Sequence, residues 1–222
     1  MDKKKAAAER AVEFVQSGMV VGLGTGSTAY FAIEALGRRV KEGLDITGVA
    51  TSIGTELLAK KFGVPLVSLD EVKLIDITID GADEVDPQFN LIKGMGGALL
   101  REKIVAYASL EEIIVVDDSK LVDVLGTCSP LPIEVAPFGH KLTKTALEDL
   151  GCQARLKGGE KPLKTDNGNL IYECKFEQIE DPEFLEIEIH LIPGVVESGL
   201  FIDLATKVVI GQEGGTQLRA KN

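Results

Sequence analysis

The sequence predicts an α/β protein, with a mostly parallel sheet covered by helices on both faces and a smaller α+β region after it. Three observations carry this prediction. Short apolar runs alternate with helical-period runs through the first half of the chain. Those short runs are apolar on both faces, as strands buried between two helical layers are. After about residue 127 the rhythm changes: Pro130, Pro132 and Pro137 punctuate the chain, and Asp166-Asn167-Gly168-Asn169 gives a strong turn signal. The expected division is 1–127 with 204–222 for the first domain and 128–203 for the second.

Taken in order, Ala8, Ala11, Val12, Val15 and Met19 recur at helical spacing between charged residues. Met19-Val20-Val21-Gly22-Leu23-Gly24 then reads as a buried strand ending in glycines. Ser27 or Thr28 can cap a second helix carrying Tyr30, Phe31, Ile33, Ala35 and Leu36. Further strands are expected at 46–50, 64–68, 74–80 and 113–117, with helices at 54–62 and 98–109. In the second region 144–150 reads as a short helix closed by Gly151, and the turn at 166–169 should join two strand-like runs. Leu185-Glu186-Ile187-Glu188-Ile189-His190-Leu191 alternates strictly, which predicts one buried and one wet face. Phe184, Leu200 and Phe201 are expected either in that domain's own core or at an interface. Val208-Val209-Ile210 could return as a strand to the first domain.

Composition narrows the function. The 222 residues carry 24 Lys and Arg against 35 Asp and Glu, a net charge of −11. A field of that sign argues against nucleic-acid or anionic-membrane partners, so an anionic ligand would need an explicit local pocket. Hydrophobic residues make up 45%, but aromatics only 5% with no Trp, so the core must be mostly Val, Ile, Leu and Ala. Cys128, Cys152 and Cys174 form no CxxC pair, and His140 and His190 lie far apart, which argues against a zinc site or disulfide framework. The start, Met1-Asp2-Lys3-Lys4-Lys5-Ala6, is basic without a following apolar run, and no uncharged stretch approaches the ~18–20 residues of a membrane span. The expectation is a cytoplasmic protein with no membrane contact.

Three segments carry chemistry. Gly22-Leu23-Gly24-Thr25-Gly26-Ser27-Thr28 stands between a strand and a helix, where backbone N–H groups and the helix dipole favour an anion. It departs from GxGxxG at Ser27, and no acidic residue closes the next strand, which runs into Thr51 and Ser52. No lysine follows as in a P-loop. A small phosphate cradle at Thr25, Gly26, Ser27 and Thr28 remains, against a plain capped turn. The second segment, Asp80-Gly81-Ala82-Asp83-Glu84-Val85-Asp86, places carboxylates at a strand's carboxyl end. Asp80 and Asp83 could hold sugar hydroxyls, move a proton or take a magnesium ion, or the loop could be merely solvated. Asp76, earlier on that strand, reads as structural.

The third segment is Lys93-Gly94-Met95-Gly96-Gly97-Ala98-Leu99-Leu100-Arg101-Glu102-Lys103. Lys93 can set a compact positive charge near developing negative charge, and the glycines Gly94 and Gly96 around Met95 let a ligand approach the backbone. Glu102 falls in the opening turns of a helix beside an apolar face. Burial there would raise its pKa toward a general base's range, whereas an exposed Glu102 would simply pair along the helix with Lys103 or Arg101.

Taken together, these three segments resemble the ribose-5-phosphate isomerase type A family. Asp118-Ser119-Lys120, Thr165-Asp166-Asn167-Gly168-Asn169 and Gly194-Val195-Val196-Glu197-Ser198-Gly199-Leu200-Phe201 extend the likeness in order over nearly the whole chain. Met95 departs from the glycine many members carry there. The resemblance implies a Rossmann-like sheet domain with a ferredoxin-like α+β lid, assembled as a homodimer or homotetramer. It also implies interconversion of ribose 5-phosphate and ribulose 5-phosphate in the pentose phosphate pathway, with neither metal nor organic cofactor. On it, Glu102 is the proton acceptor, Asp80, Gly81, Ala82, Asp83, Lys93, Gly94, Met95 and Gly96 line the sugar, and the Thr25–Thr28 turn holds the phosphate. Lys120 matches a ligand-binding lysine, and Lys4 one near the phosphate. The competing readings are a non-catalytic sugar-phosphate-binding effector module, an acyl-transfer enzyme with a Glu nucleophile, and a metal-dependent phosphatase using Asp80 and Asp83.

Overall fold

The computed structural model describes residues 2–221. The chain opens with α1 (Lys3–Val12), β1 (Val20–Leu23), α2 (Ser27–Lys41), β2 (Thr47–Ala50), α3 (Ile53–Phe62) and β3 (Ile75–Asp80). It continues through β4 (Glu84–Val85), β5 (Leu91–Ile92), α4 (Leu99–Tyr107), β6 (Ser109–Asp117) and β7 (Leu131–Val135). Then come α5 (His140–Asp149), β8 (Gln153–Leu156), β9 (Leu170–Lys175), α6 (Pro182–His190), β10 (Val195–Ser198), β11 (Leu200–Phe201), β12 (Lys207–Gln212) and β13 (Gly215–Ala220). Two compact units result. The first comprises Met1–Ala82, Arg101–Lys120 and Leu204–Asn222, and the second Asp83–Leu100 and Leu121–Asp203.

The first unit is a six-stranded sheet in the order β13-β12-β6-β3-β1-β2, parallel except for the β12–β13 hairpin at one edge. Strand alternation sends Val21 and Leu23 into a core with Ala7, Ala8, Ala11 and Val12 of α1 and Ala32, Ile33 and Leu36 of α2. Gly22, between them, faces the other side, where a Cβ would lie 1.8 Å from Thr78 Oγ1 and 2.8 Å from Val105 of α4. Helices therefore cover both faces, as the two-sided apolar runs predicted. The α1 helix starts on Asp2, whose carboxylate accepts from the amides of Lys4 and Lys5. The Asp76 carboxylate accepts from Val20 N at 2.7 Å, a structural tie between neighbouring strands. The strand at 208–210 does return to this sheet, as β12.

The second unit holds an antiparallel sheet, β10-β7-β9-β8, with α5 and α6. Leu131, Ile133, Val135, Leu147, Tyr172, Cys174 and Ile189 form its core. A small antiparallel sheet, β11-β5-β4, joins 83–100 to the segment before Leu204. That pairing is why 83–100 clusters with the second unit, whereas the sequence grouped it with the first domain.

Several local expectations are corrected. The alternating run at 185–191 is mostly helix, α6, started by the Asp181 side chain with Pro182 in the first turn. A strand face would bury every second residue, but here Ile189 is buried while Ile187 is 59% and Leu191 70% exposed. Leu200 and Phe201 are fully buried, and Phe184 lies outside at 59% exposure. The run at 64–68 forms only an isolated bridge, Leu66 to Gly48, since Pro65 has no N–H for a ladder. Neither Ser27 nor Thr28 caps α2; Gly26 occupies the N-cap with φ +122°, without a side-chain cap. The 165–169 turn is tight, with Gly168 at φ +83° and Thr165 N donating to Asn169 O. Its incoming arm is a single bridge, Lys164 to Leu170, and β9 pairs with β8 instead. The first helix ends at Val12, short of Met19.

Candidate active site

In the first unit, the predicted residues gather at the carboxyl ends of parallel strands. Strand β3 pairs with β1 through Leu23 and Ile79, so Asp80 stands beside the turn that leaves β1. Its Oδ1 accepts from Thr25 N at 3.1 Å and from Gly81 N at 2.7 Å, and Asp80 is 1% exposed. Gly24 is required by this approach: a Cβ there would lie 2.1 Å from Asp80 Oδ1 and 2.6 Å from Asp80 Cα. The turn and the aspartate are thus one packed object.

The Thr25 hydroxyl points inward. It lies 2.7 Å from Thr51 Oγ1, 2.9 Å from Ser52 Oγ and 3.0 Å from Thr55 Oγ1, and Thr51 and Thr55 in turn donate to the Leu23 and Gly24 carbonyls. Thr51 and Ser52, which take the place of the acid a dinucleotide site would need, serve to hold the turn. Gly26 and Ser27 are exposed and Thr28 half-buried at the opening of α2, which has no acid in its first turn. Lys4 Nζ donates to Ser27 Oγ at 3.0 Å, adding a cation to the positive end of the helix dipole. A Cβ on Gly81 would lie 4.0 Å from Thr28 Cβ, so the chain after β3 runs past the same turn.

Lys120 ends the short 3₁₀ turn Asp118–Lys120 after β6. Burial pushes the Asp117 carboxyl up, but hydrogen bonds from Ser119, with the Lys4 and Lys120 charges nearby, hold it below the usual carboxylate range. Glu102 sits in the first turn of α4 and is 3% exposed, so it is not the exposed residue of the competing reading. Ala82 is half-buried after Gly81.

In the second unit, Asp83 and the glycine loop form their own constellation. Asp83 Oδ2 accepts from Met95 N at 3.1 Å, while Asp83 N donates to Ile92 O at 2.8 Å. Lys93 is 2% exposed, its amide donates to Gly199 O, and its ammonium lies 5.2 Å from the Phe201 ring centroid. Gly94, at φ +105°, turns the chain onto Leu99, and Gly97 N closes the loop on Gly94 O at 2.9 Å. Gly96 is exposed at the loop's tip. Met95 O accepts from Lys157 Nζ at 2.8 Å.

Two residues of consequence were missed in the sequence. Glu84, fully buried in β4, accepts at Oε2 from Gly126 N and at Oε1 from Cys128 N, both at 2.7 Å, and also from Ser129 N. Lys157 holds the Met95 carbonyl from 62 residues away. Glu84 lies inside the acidic segment 80–86 and Lys157 stands beside Gly158, but no local spacing marks the partner of either. Among the described residues, three metal-ligating side chains converge only at Glu186, His190 and Glu197. The Glu186 carbonyl can only accept, so His190 Nδ1 donates to it at 2.9 Å, and Nε2 faces Glu197 Oε1 at 3.0 Å. The Glu197 hydrogen bond, against partial burial, raises the imidazole pKa.

A parallel sheet with an open helix N-terminus, a buried aspartate and lysines at its strand ends defines an α/β protein that receives a small anionic ligand. Glu102 in the first unit and Lys93 in the second are each buried. The chain belongs to the ribose 5-phosphate isomerase A (phosphoriboisomerase A) family, whose model matches residues 47–215. It is 52% identical over 217 residues to ribose-5-phosphate isomerase A of Bacillus mycoides, covering 97% of this chain and 98% of the relative. The solved ribose 5-phosphate isomerase A of Methanocaldococcus jannaschii superposes with a TM-score of 0.94 at 43% identity, covering 99% of each chain. A D-ribose-5-phosphate isomerase solved in complex with phospho-erythronic acid gives 0.95 at 45% identity, covering 99% of this chain and 98% of that one.

Proposed function

We propose that this chain interconverts D-ribose 5-phosphate and D-ribulose 5-phosphate through an enediolate, without metal or organic cofactor. Full-length similarity to ribose-5-phosphate isomerases carries the reading. It also disfavours the effector module, the acyl-transfer enzyme and the phosphatase. The relative bound to phospho-erythronic acid adds a chemical argument. A phosphorylated sugar acid carries a planar anionic carboxylate, whose charge distribution resembles that of an enediolate.

In this reading Glu102 takes the C2 proton and returns it at C1. The C2–H electron pair forms the C1–C2 double bond and the aldehyde oxygen gains negative charge; as the proton returns at C1, the proton on O2 passes to O1 and C2 becomes the carbonyl. Lys93 and the Gly94 and Gly96 N–H groups stabilise the aldehyde oxygen. Asp80 and Asp83 hold hydroxyls, and Asp80 assists opening of the cyclic sugar. The turn at 25–28, with Lys4 and Lys120, anchors the phosphate, so binding remote from C1 and C2 orients the reacting atoms. The inward Thr25 hydroxyl supports a role for Thr25 in shaping that turn, with Ser27 and Thr28 offering the outward groups.

The reading extends to a homodimer or homotetramer in the cytoplasm. Support comes from the exposed apolar stripe Phe184, Ile187 and Leu191 on and just past α6 and from three free cysteines. The test uses ribose 5-phosphate in deuterated water with EDTA. Wild type is expected to form ketose with solvent deuterium incorporated, and Glu102→Gln to fold while losing about 10²–10⁴-fold in turnover. Turnover abolished by EDTA, or a Glu102→Gln variant of normal rate, refutes the proposal.

A further inference from the structure

We propose that Lys157 is a positioning residue: its ammonium fixes the Met95–Gly96 peptide so that the Gly96 N–H is presented to the substrate oxygen that gains charge. The inference rests on the reading above and concerns only groups of the second unit. Lys157 Nζ lies 2.8 Å from both Met95 O and Glu173 Oε1, and the two side chains are 17% and 23% exposed. Its backbone is fixed on both sides, because Lys157 N donates to Ile171 O at 2.9 Å and its carbonyl accepts from Leu163 N at 3.0 Å. The ammonium is therefore aimed from a pinned strand end and oriented by Glu173 on β9.

A trans peptide points its C=O and N–H in opposite directions. Binding the Met95 carbonyl from the Lys157 side therefore sends the Gly96 N–H away from Lys157. That N–H donates to no acceptor among the described residues, and Gly96 is exposed. The preceding peptide is held too, since Met95 N donates to Asp83 Oδ2 at 3.1 Å. With both Met95 groups tied, the tip of the loop has little freedom left. A cation on the carbonyl also polarises the peptide, making its N–H a stronger donor. A fixed, polarised N–H costs little reorganisation when negative charge develops, which is what electrostatic catalysis requires. The sequence gives no hint of this, because Lys157 lies in a lysine- and glycine-rich stretch resembling a solvated loop.

The test is Lys157→Met. The expected result is a cooperative fold, unchanged affinity for inorganic phosphate, KM near wild type, and a kcat lower by about 10-fold or more, a fraction of the loss on deleting an oxyanion donor. The ¹⁵N resonance of the Gly96 amide should shift, and Lys157→Arg, which keeps a cationic donor, should recover most of the rate. A folded Lys157→Met variant with normal kcat, or one altered in KM alone, overturns the inference. Should Lys157→Met fail to fold, Lys157→Gln takes its place, and an unchanged kcat in it is equally fatal. Glu102→Gln is assayed in parallel. Normal turnover there sinks the site reading, whereas collapse there with normal Lys157 variants sinks only the present inference.

Discussion

Glu84 is the residue whose removal the structure prices most directly. Its carboxylate is fully buried and receives three backbone amides, from Gly126, Cys128 and Ser129, which fasten the segment after Leu121 to β4. The three amides are not equivalent: Gly126 is buried, Cys128 exposed and Ser129 half-buried. In Glu84→Gln one oxygen can still serve Cys128 and Ser129, but the amide nitrogen then faces the Gly126 N–H, donor against donor. Stranding that N–H costs about 1–3 kcal/mol. Weakening the other two bonds from charge-assisted to neutral adds about 1 kcal/mol, so the expected loss is about 2–4 kcal/mol. Glu84→Ala should cost about 3–5 kcal/mol, because a cavity adds to the same penalty even though the exposed amide regains water. The assay is urea unfolding followed by far-UV circular dichroism, since the chain has no Trp. At a slope of about 2 kcal/mol/M the Gln variant's midpoint should fall by about 1–2 M. Hydrogen exchange at the Gly126 amide should accelerate in step. A Gln variant that unfolds at the wild-type midpoint would show that these amides do not depend on the charge.

Two further outcomes follow from single contacts. Gly24→Ala should cost about 1–3 kcal/mol in thermal unfolding, because its Cβ meets the Asp80 backbone and not only a side chain that could swing away. The same displacement should lower kcat about 10²-fold, and normal turnover in that variant would separate the turn from Asp80. His190 has a folded pKa above its ordinary 6.5, so its ion pair with Glu197 contributes fully below that value and is lost as pH rises through the folded pKa. Wild type should therefore exceed His190→Gln in stability at about pH 5.5 by more than at about pH 9, by less than about 1 kcal/mol because the pair is partly exposed. A pH-independent difference contradicts it.

Much of the fold was legible because its signals are local. The glycine-ended strand β1, the helix behind it and the acid at the end of β3 are each announced within a few residues. The misreadings came from the same locality. Period-two alternation at 185–191 also suits a short helix that buries only Ile189 deeply, and the decision rests on the Asp181–Pro182 start. The run at 64–68 has a strand's composition but stays a single bridge, because Pro65 cannot extend the ladder.

Motif order along the chain was enough to point to the family, since each motif is read from neighbours close in sequence. Tertiary structure alone settled how deeply Asp80, Lys93 and Glu102 are buried and which way the Thr25 hydroxyl faces. It alone joined Lys4 to Ser27, Glu84 to Gly126 and Lys157 to Met95. Burial and hydrogen bonding depend on what the rest of the chain brings to a residue, and across 23, 42 and 62 positions no periodicity or spacing carries that information.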